Sequence, residues 1–171
     1  MNAFLAAYAH RFPMTPIGGL FVGAVGLFVI AGAVVPKRRM QLLWIGFGAA
    51  VLALMLGGRL AVGLPTPTAF QVGALVAAIL LEIAGFRVMM PRLRAHGERA
   101  ALVGSLAIVG LHFFIMLPAF GPLIGGLGLA CSANAVAAWR NSAYRINSAW
   151  LADGLFKFAL GLVMMLTSPI L

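Results

Sequence analysis

The sequence predicts an all-α integral membrane protein: one domain over residues 1–171, built as a bundle of six transmembrane helices with both termini on the outer side. Three observations carry this. The chain is 63% hydrophobic and only 9% charged, and a soluble domain of this size needs far more charge to cover its surface. Apolar runs of about 20 residues, enough to cross roughly 30 Å of hydrocarbon, recur along its whole length. Finally, the basic residues alternate between connections. Lys37, Arg38, Arg39, Arg92, Arg94, Arg99, Arg140 and Arg145 fall in one set of connections, and only Arg11 and Arg59 in the other. Basic connections stay on the inner side of a membrane, which sets the threading.

The elements follow in order. Residues 1–13 read as a short tail whose Phe4, Leu5, Tyr8 and Phe12 lie roughly on one helical face, suited to an interfacial turn. A first span is expected at about 14–35, with Pro16 in its first turn. Its Gly19, Gly23 and Gly26 form a small-residue face, where another helix backbone can come close. Packing within the chain is the plainer expectation for that face; a homodimer or partner subunit is the sharper one. The Pro36-Lys37-Arg38-Arg39 turn leads into a second span at about 40–58, with Trp44 at interface depth. A proline-broken outer loop, residues 59–68, precedes a third span at about 69–90. PRLRAHGER reads as a solvated inner loop carrying His96 and Glu98. The fourth span, about 100–120, contains His112 and Pro118 and turns at Gly121-Pro122 into a fifth at about 123–139. The sixth covers about 149–168, with Asn147 or Ser148 placed to cap it.

Five polar residues fall at membrane depth: Glu82 in the third span, His112 in the fourth, Asn134 in the fifth, and Asp153 and Lys157 in the sixth. A rise of 1.5 Å per residue puts His112 and Lys157 near the midplane and the others on its inner side. A charge in mid-membrane costs about 2.5–3.5 kcal/mol on insertion scales, so such residues face the bundle and find partners. Asp153 and Lys157 stand one helical turn apart, acid first, which suits a local ion pair. Glu82 is an alternative partner for Lys157. Each residue alone is explained by a cross-helix hydrogen bond; the five together point to a site for a ligand or a proton.

Several chemistries are excluded. The acidic residues are Glu82, Glu98 and Asp153, too few for a multi-carboxylate centre. Three scattered histidines and the single Cys131 offer no zinc triad and no disulfide, so no metal site is expected. No P-loop, dinucleotide fingerprint or nucleophile elbow is present. The net charge of +9 belongs to the threading pattern and does not imply nucleic acid. The expected partner is the lipid bilayer.

Two resemblances can be drawn from these residues. Asp153-x-x-x-Lys157 with Gly161 resembles the last helix of microbial rhodopsins, which implies a retinal Schiff base on the lysine. Against retinal stand six spans in place of seven, and Trp44, Trp139 and Trp150 at the inner interface, so no cofactor is expected. Gly110-x-His112-Phe113, Pro118, Asn134-Ala135, Asp153-Gly154-x-x-Lys157 and Gly161 together resemble a group of small uncharacterised bacterial membrane proteins. That resemblance implies a multi-pass protein of the bacterial inner membrane and carries no activity with it. The functional expectation is a small-solute or proton-coupled carrier or ligand-binding protein. Its alternative is a non-catalytic structural or accessory subunit, and a third is a lipid-modifying enzyme with His112 as base, for which no second catalytic group is evident.

Overall fold

The computed structural model describes residues 3–170. Its helices are α1 (Ala3–Arg11), α2 (Thr15–Val34), α3 (Arg39–Leu56), α4 (Ala69–Ala95), α5 (Glu98–Ile115), α6 (Leu117–Phe120), α7 (Pro122–Arg140) and α8 (Ile146–Met165), with 3-10 turns at Pro36–Arg38 and Gly57–Ala61. No strand occurs among the described residues. Six of the helices, α2, α3, α4, α5, α7 and α8, are long and apolar enough to cross a membrane. The molecule is a multi-pass, all-helical membrane protein.

Four local expectations are corrected. The interfacial turn near the start is a nine-residue helix, α1. The third span runs through Pro91 to Ala95, so most of the expected inner loop is helix. Proline there removes one hydrogen bond, but Arg92, Leu93, Arg94 and Ala95 are good helix formers, and Leu93 packs against Gly104 of α5. The fourth span stops at Ile115 and resumes as the single turn α6. Pro118 is the cause, because its ring clashes with the preceding turn while suiting the first turn of a new one. The sixth span starts at Ile146, and Arg145, with no side-chain cap, occupies the N-cap position. Asn147 accepts a hydrogen bond from the Arg39 guanidinium instead.

α2 packs most extensively on α8 and next on α3; α8 then meets α7, α7 meets α5, and α5 meets α4. α3 and α4 thus lie at the two ends of the series. Their outer faces expose Trp44, Met55, Phe70, Leu80 and Ile83. In water such faces would aggregate; in a bilayer they face a solvent as apolar as themselves.

The α2–α8 contact depends on missing side chains. A Cβ on Gly19 would stand 2.6 Å from the Gly161 carbonyl oxygen, one on Gly26 2.9 Å from the Gly154 carbonyl oxygen, and one on Gly154 2.8 Å from the Ile30 nitrogen. Backbone therefore lies on backbone along three turns. Two apolar clusters form around this seam. One contains Val22, Phe113, Phe120, Leu127 and Met164; the other contains Val29, Val103, Leu106, Ala135 and Trp150.

The two ends of the bundle differ in chemistry. At one end α1 is tied down. The Tyr8 hydroxyl donates to the Phe120 carbonyl at 2.7 Å and accepts from the Leu123 N–H at 3.0 Å. It thereby satisfies backbone groups left open where α6 ends and Gly121, at φ 74°, turns the chain into α7. Thr68 and Gln71 form a capping box at the start of α4, and Gln71 also donates to the Arg11 carbonyl at 2.9 Å. The Ser168 hydroxyl donates to the Leu60 carbonyl at 2.8 Å, so the end of the chain returns to this side. At the other end Arg99 donates to the carbonyls of Ala138, Asn141 and Tyr144, and so ties the end of α7 to the connection that follows it.

Burial holds the Tyr8 phenol above its ordinary range, against the lowering effect of the Leu123 N–H. Stability linked to the neutral phenol is complete below the unfolded value of about 10 and is lost as pH rises through the higher folded value. Tyr8→Phe should cost about 1–3 kcal/mol at neutral pH, because the Leu123 N–H loses its partner, while the Phe120 carbonyl keeps the Thr15 hydroxyl at 3.3 Å. Thermal unfolding in detergent measures this. The same assay should show Gly161→Leu strongly destabilised and Gly48→Leu near wild type, since a Cβ at Gly48 meets nothing within 4 Å.

Candidate functional site

Asp153 and Lys157 lie one turn apart on α8, so their side chains share a face. The Lys157 ammonium donates directly to Asp153 Oδ2. Both residues are buried, 1% and 3% exposed, at the level between the two apolar clusters. A buried pair of this kind tolerates no half-removal, because the surviving charge is stranded in low dielectric. Lys157 Nζ also stands 5.9 Å from the centre of the Phe113 ring, a favourable place for a cation. The second carboxylate oxygen, Asp153 Oδ1, meets no nitrogen or hydroxyl donor among the described residues, and the buried Cys131 thiol is the donor beside this carboxylate. The buried Ser132 hydroxyl has no hydrogen-bond partner among the described residues.

A second pair joins α4 to α5. His112 Nε2 is 3.6 Å from Glu82 Oε2. His112 is 7% exposed, and its other nitrogen, Nδ1, lies 2.6 Å from the Val109 carbonyl oxygen. A carbonyl oxygen can only accept, so Nδ1 carries the hydrogen. Nε2 is thereby left facing the Glu82 carboxyl group across 3.6 Å. The Phe113 ring lies tilted against His112, 4.4 Å between ring centres, and so stands between the two pairs.

Asn134, the fifth expected residue, belongs elsewhere. Its amide donates to the Ala149 carbonyl at 2.8 Å and its oxygen accepts from the Tyr144 hydroxyl at 2.9 Å. It fastens the α7–α8 connection. Glu82 pairs with His112, and it is Asp153 that pairs with Lys157.

Three features of the surroundings were not read from sequence. Phe113 has no signal beyond its place beside His112. Tyr144 lies in a polar connection that looks like any solvated loop. Arg39 is buried, with its Nε donating to the Gly32 carbonyl at 3.3 Å and its guanidinium 4.9 Å from the centre of a Trp150 ring. A signal for it did exist: Arg39, Gly46 and Ala50 are the buried residues of α3, spaced seven and four apart on one face. Among the described residues no group of three His, Cys, Asp or Glu side chains could hold a metal ion.

Six apolar helices around a layer of two ionisable pairs define a small multi-pass membrane protein with a polar centre. The chain belongs to the family of unknown function DUF6609, which matches residues 7–170. No curated protein and no solved structure matches it.

The pairing makes a direct prediction. Lys157→Met should lower stability by about 3–5 kcal/mol in detergent, as should Asp153→Asn in smaller measure. The double variant should recover part of the loss, whereas Lys157→Met with Glu82→Gln should recover none. Thermal unfolding of the four variants decides it.

Proposed function

We propose that this protein is a proton-coupled carrier or ligand-binding protein of the bacterial inner membrane, with both termini outside and the arginine-rich end in the cytoplasm. The carrying observation is the Glu82–His112 pair. Its geometry sets an imidazole nitrogen 3.6 Å from a carboxylate oxygen between α4 and α5, and intramembrane histidine–carboxylate pairs of this kind mark proton paths. Asp153–Lys157 is the fixed partner of that site: it places a carboxylate and a cation, with the buried Cys131 thiol beside the carboxylate, next to the adjustable pair. α4 is the moving part in this reading. It packs mainly on α5 and α6, and most of its surface is exposed. A displacement of α4 would separate Glu82 from His112 and open the polar layer. The small size of the bundle favours a second copy or a partner subunit.

The competing reading is a non-catalytic accessory subunit. The exposed faces of α3 and α4 favour it, because in that case they meet another protein, and the polar pairs merely fix helix register. A thermal-shift screen of the purified protein against small polar solutes, at pH values on either side of neutral, separates the two. Under the carrier reading, wild type gains stability with a bound solute, while Glu82→Gln and His112→Gln melt like unliganded wild type and lose the gain. If both variants fail to fold and wild type responds to no solute, the accessory reading holds. The threading is tested separately: a C-terminal alkaline phosphatase fusion should be active and a cytoplasm-dependent fluorescent fusion dark.

A further inference from the structure

The arginine-rich end of the bundle carries two adjoining clefts that the polar layer does not use. The first, about 240 Å³, lies between α2 and α8, with Ala33, Val34 and Leu151 on its apolar side and Arg145, Asn147 and Ser148 on its polar side. The second, about 260 Å³, shares Asn147 and adds Arg39 and Arg99, with Glu98 as its carboxylate.

We infer that these clefts form a binding site for a phosphate-bearing ligand, with a phospholipid headgroup as the occupant the geometry favours. Donors without a partner converge there. The Arg145 guanidinium and the Ser148 hydroxyl make no hydrogen bond or ion pair among the described residues. Asn147 uses only its oxygen, toward Arg39, which leaves its amide hydrogens for the ligand. Arg99 spends one terminal nitrogen on three carbonyls and keeps its remaining N–H groups. Arginine N–H groups match phosphate oxygens in pairs.

The surroundings choose the source of the phosphate. The basic end of a membrane bundle lies at headgroup depth, where basic pockets between helices take up lipid headgroups. The apolar side formed by Ala33, Val34 and Leu151 gives the start of an acyl chain a surface, which a free anion would not use. Glu98 suits a headgroup that carries hydroxyl or ammonium donors beyond its phosphodiester.

Native mass spectrometry of the detergent-solubilised full chain tests this, with phosphatidylglycerol as the titrant in one arm and inorganic phosphate, followed by thermal shift, in the other. Wild type should retain one phosphatidylglycerol. Arg145→Gln should weaken retention about five-fold, while Arg38→Gln, which removes one charge at the same end but lines neither cleft, should leave it unchanged. Ser148→Ala, the milder change, should weaken it in the same direction. A response to inorganic phosphate that is lost in Arg145→Gln supports the phosphate site with a free anion as its source. Equal losses in Arg145→Gln and Arg38→Gln would show diffuse attraction of lipid to a basic surface and overturn the site, as would binding in neither arm.

Discussion

The seam between α2 and α8 is the constraint on which the rest of the structure depends. α8 brings Asp153 and Lys157 into the membrane, and both are costly to expose to lipid. Gly19, Gly23 and Gly26 of α2 lie against Gly154 and Gly161 of α8 so closely that side chains at most of these positions would collide with backbone. The close approach leaves no space for lipid beside the ion pair. The glycine face of α2 is thereby filled within the chain, and the pair is enclosed by α2, α7 and α5 together.

From that enclosure follows a division of labour between the polar groups. Asp153 and Lys157 sit on one helix and neutralise each other whatever the other helices do. Glu82 and His112 sit on different helices, and their proximity depends on how α4 rests on α5. Glu82 is 27% exposed against 7% for His112, so the carboxylate stands at the border of the layer and the imidazole within it. Phe113 lies between the two pairs, beside His112 and 5.9 Å from Lys157 Nζ. A pair held within one helix thus stands beside a pair that depends on the packing of two.

Much of the fold was legible because membrane insertion imposes simple rules on sequence. Apolar length located all six spans, and the distribution of Lys37 to Arg39, Arg92 to Arg99, and Arg140 to Arg145 separated the two ends. What failed was local. Pro91 reads as a helix stop, yet the packing of Leu93 on Gly104 carries the helix past it. Pro118 looks tolerable inside a span, yet it splits one. The ion pair was readable because both partners lie on one helix at a fixed spacing. Glu82–His112 was not, since which face of α4 meets which face of α5 is a tertiary fact that spacing within each helix does not encode. Asn134 was assigned to the polar centre by depth alone, and its partners, Ala149 and Tyr144, belong to the chain's own connection. Arg39 was hidden in a run of three basic residues, and only the buried face of α3 distinguishes it from Arg38.

Proton uptake at the Glu82–His112 pair is the central claim of the proposed function, and infrared difference spectroscopy of the protein in lipid addresses it most directly. A pH step across the neutral range should move one carboxyl between its protonated and ionised bands, and Glu82→Gln should abolish the carboxyl signal while leaving the fold intact. A carboxyl signal that survives in Glu82→Gln, or a wild-type spectrum with no carboxyl change over that range, would contradict it.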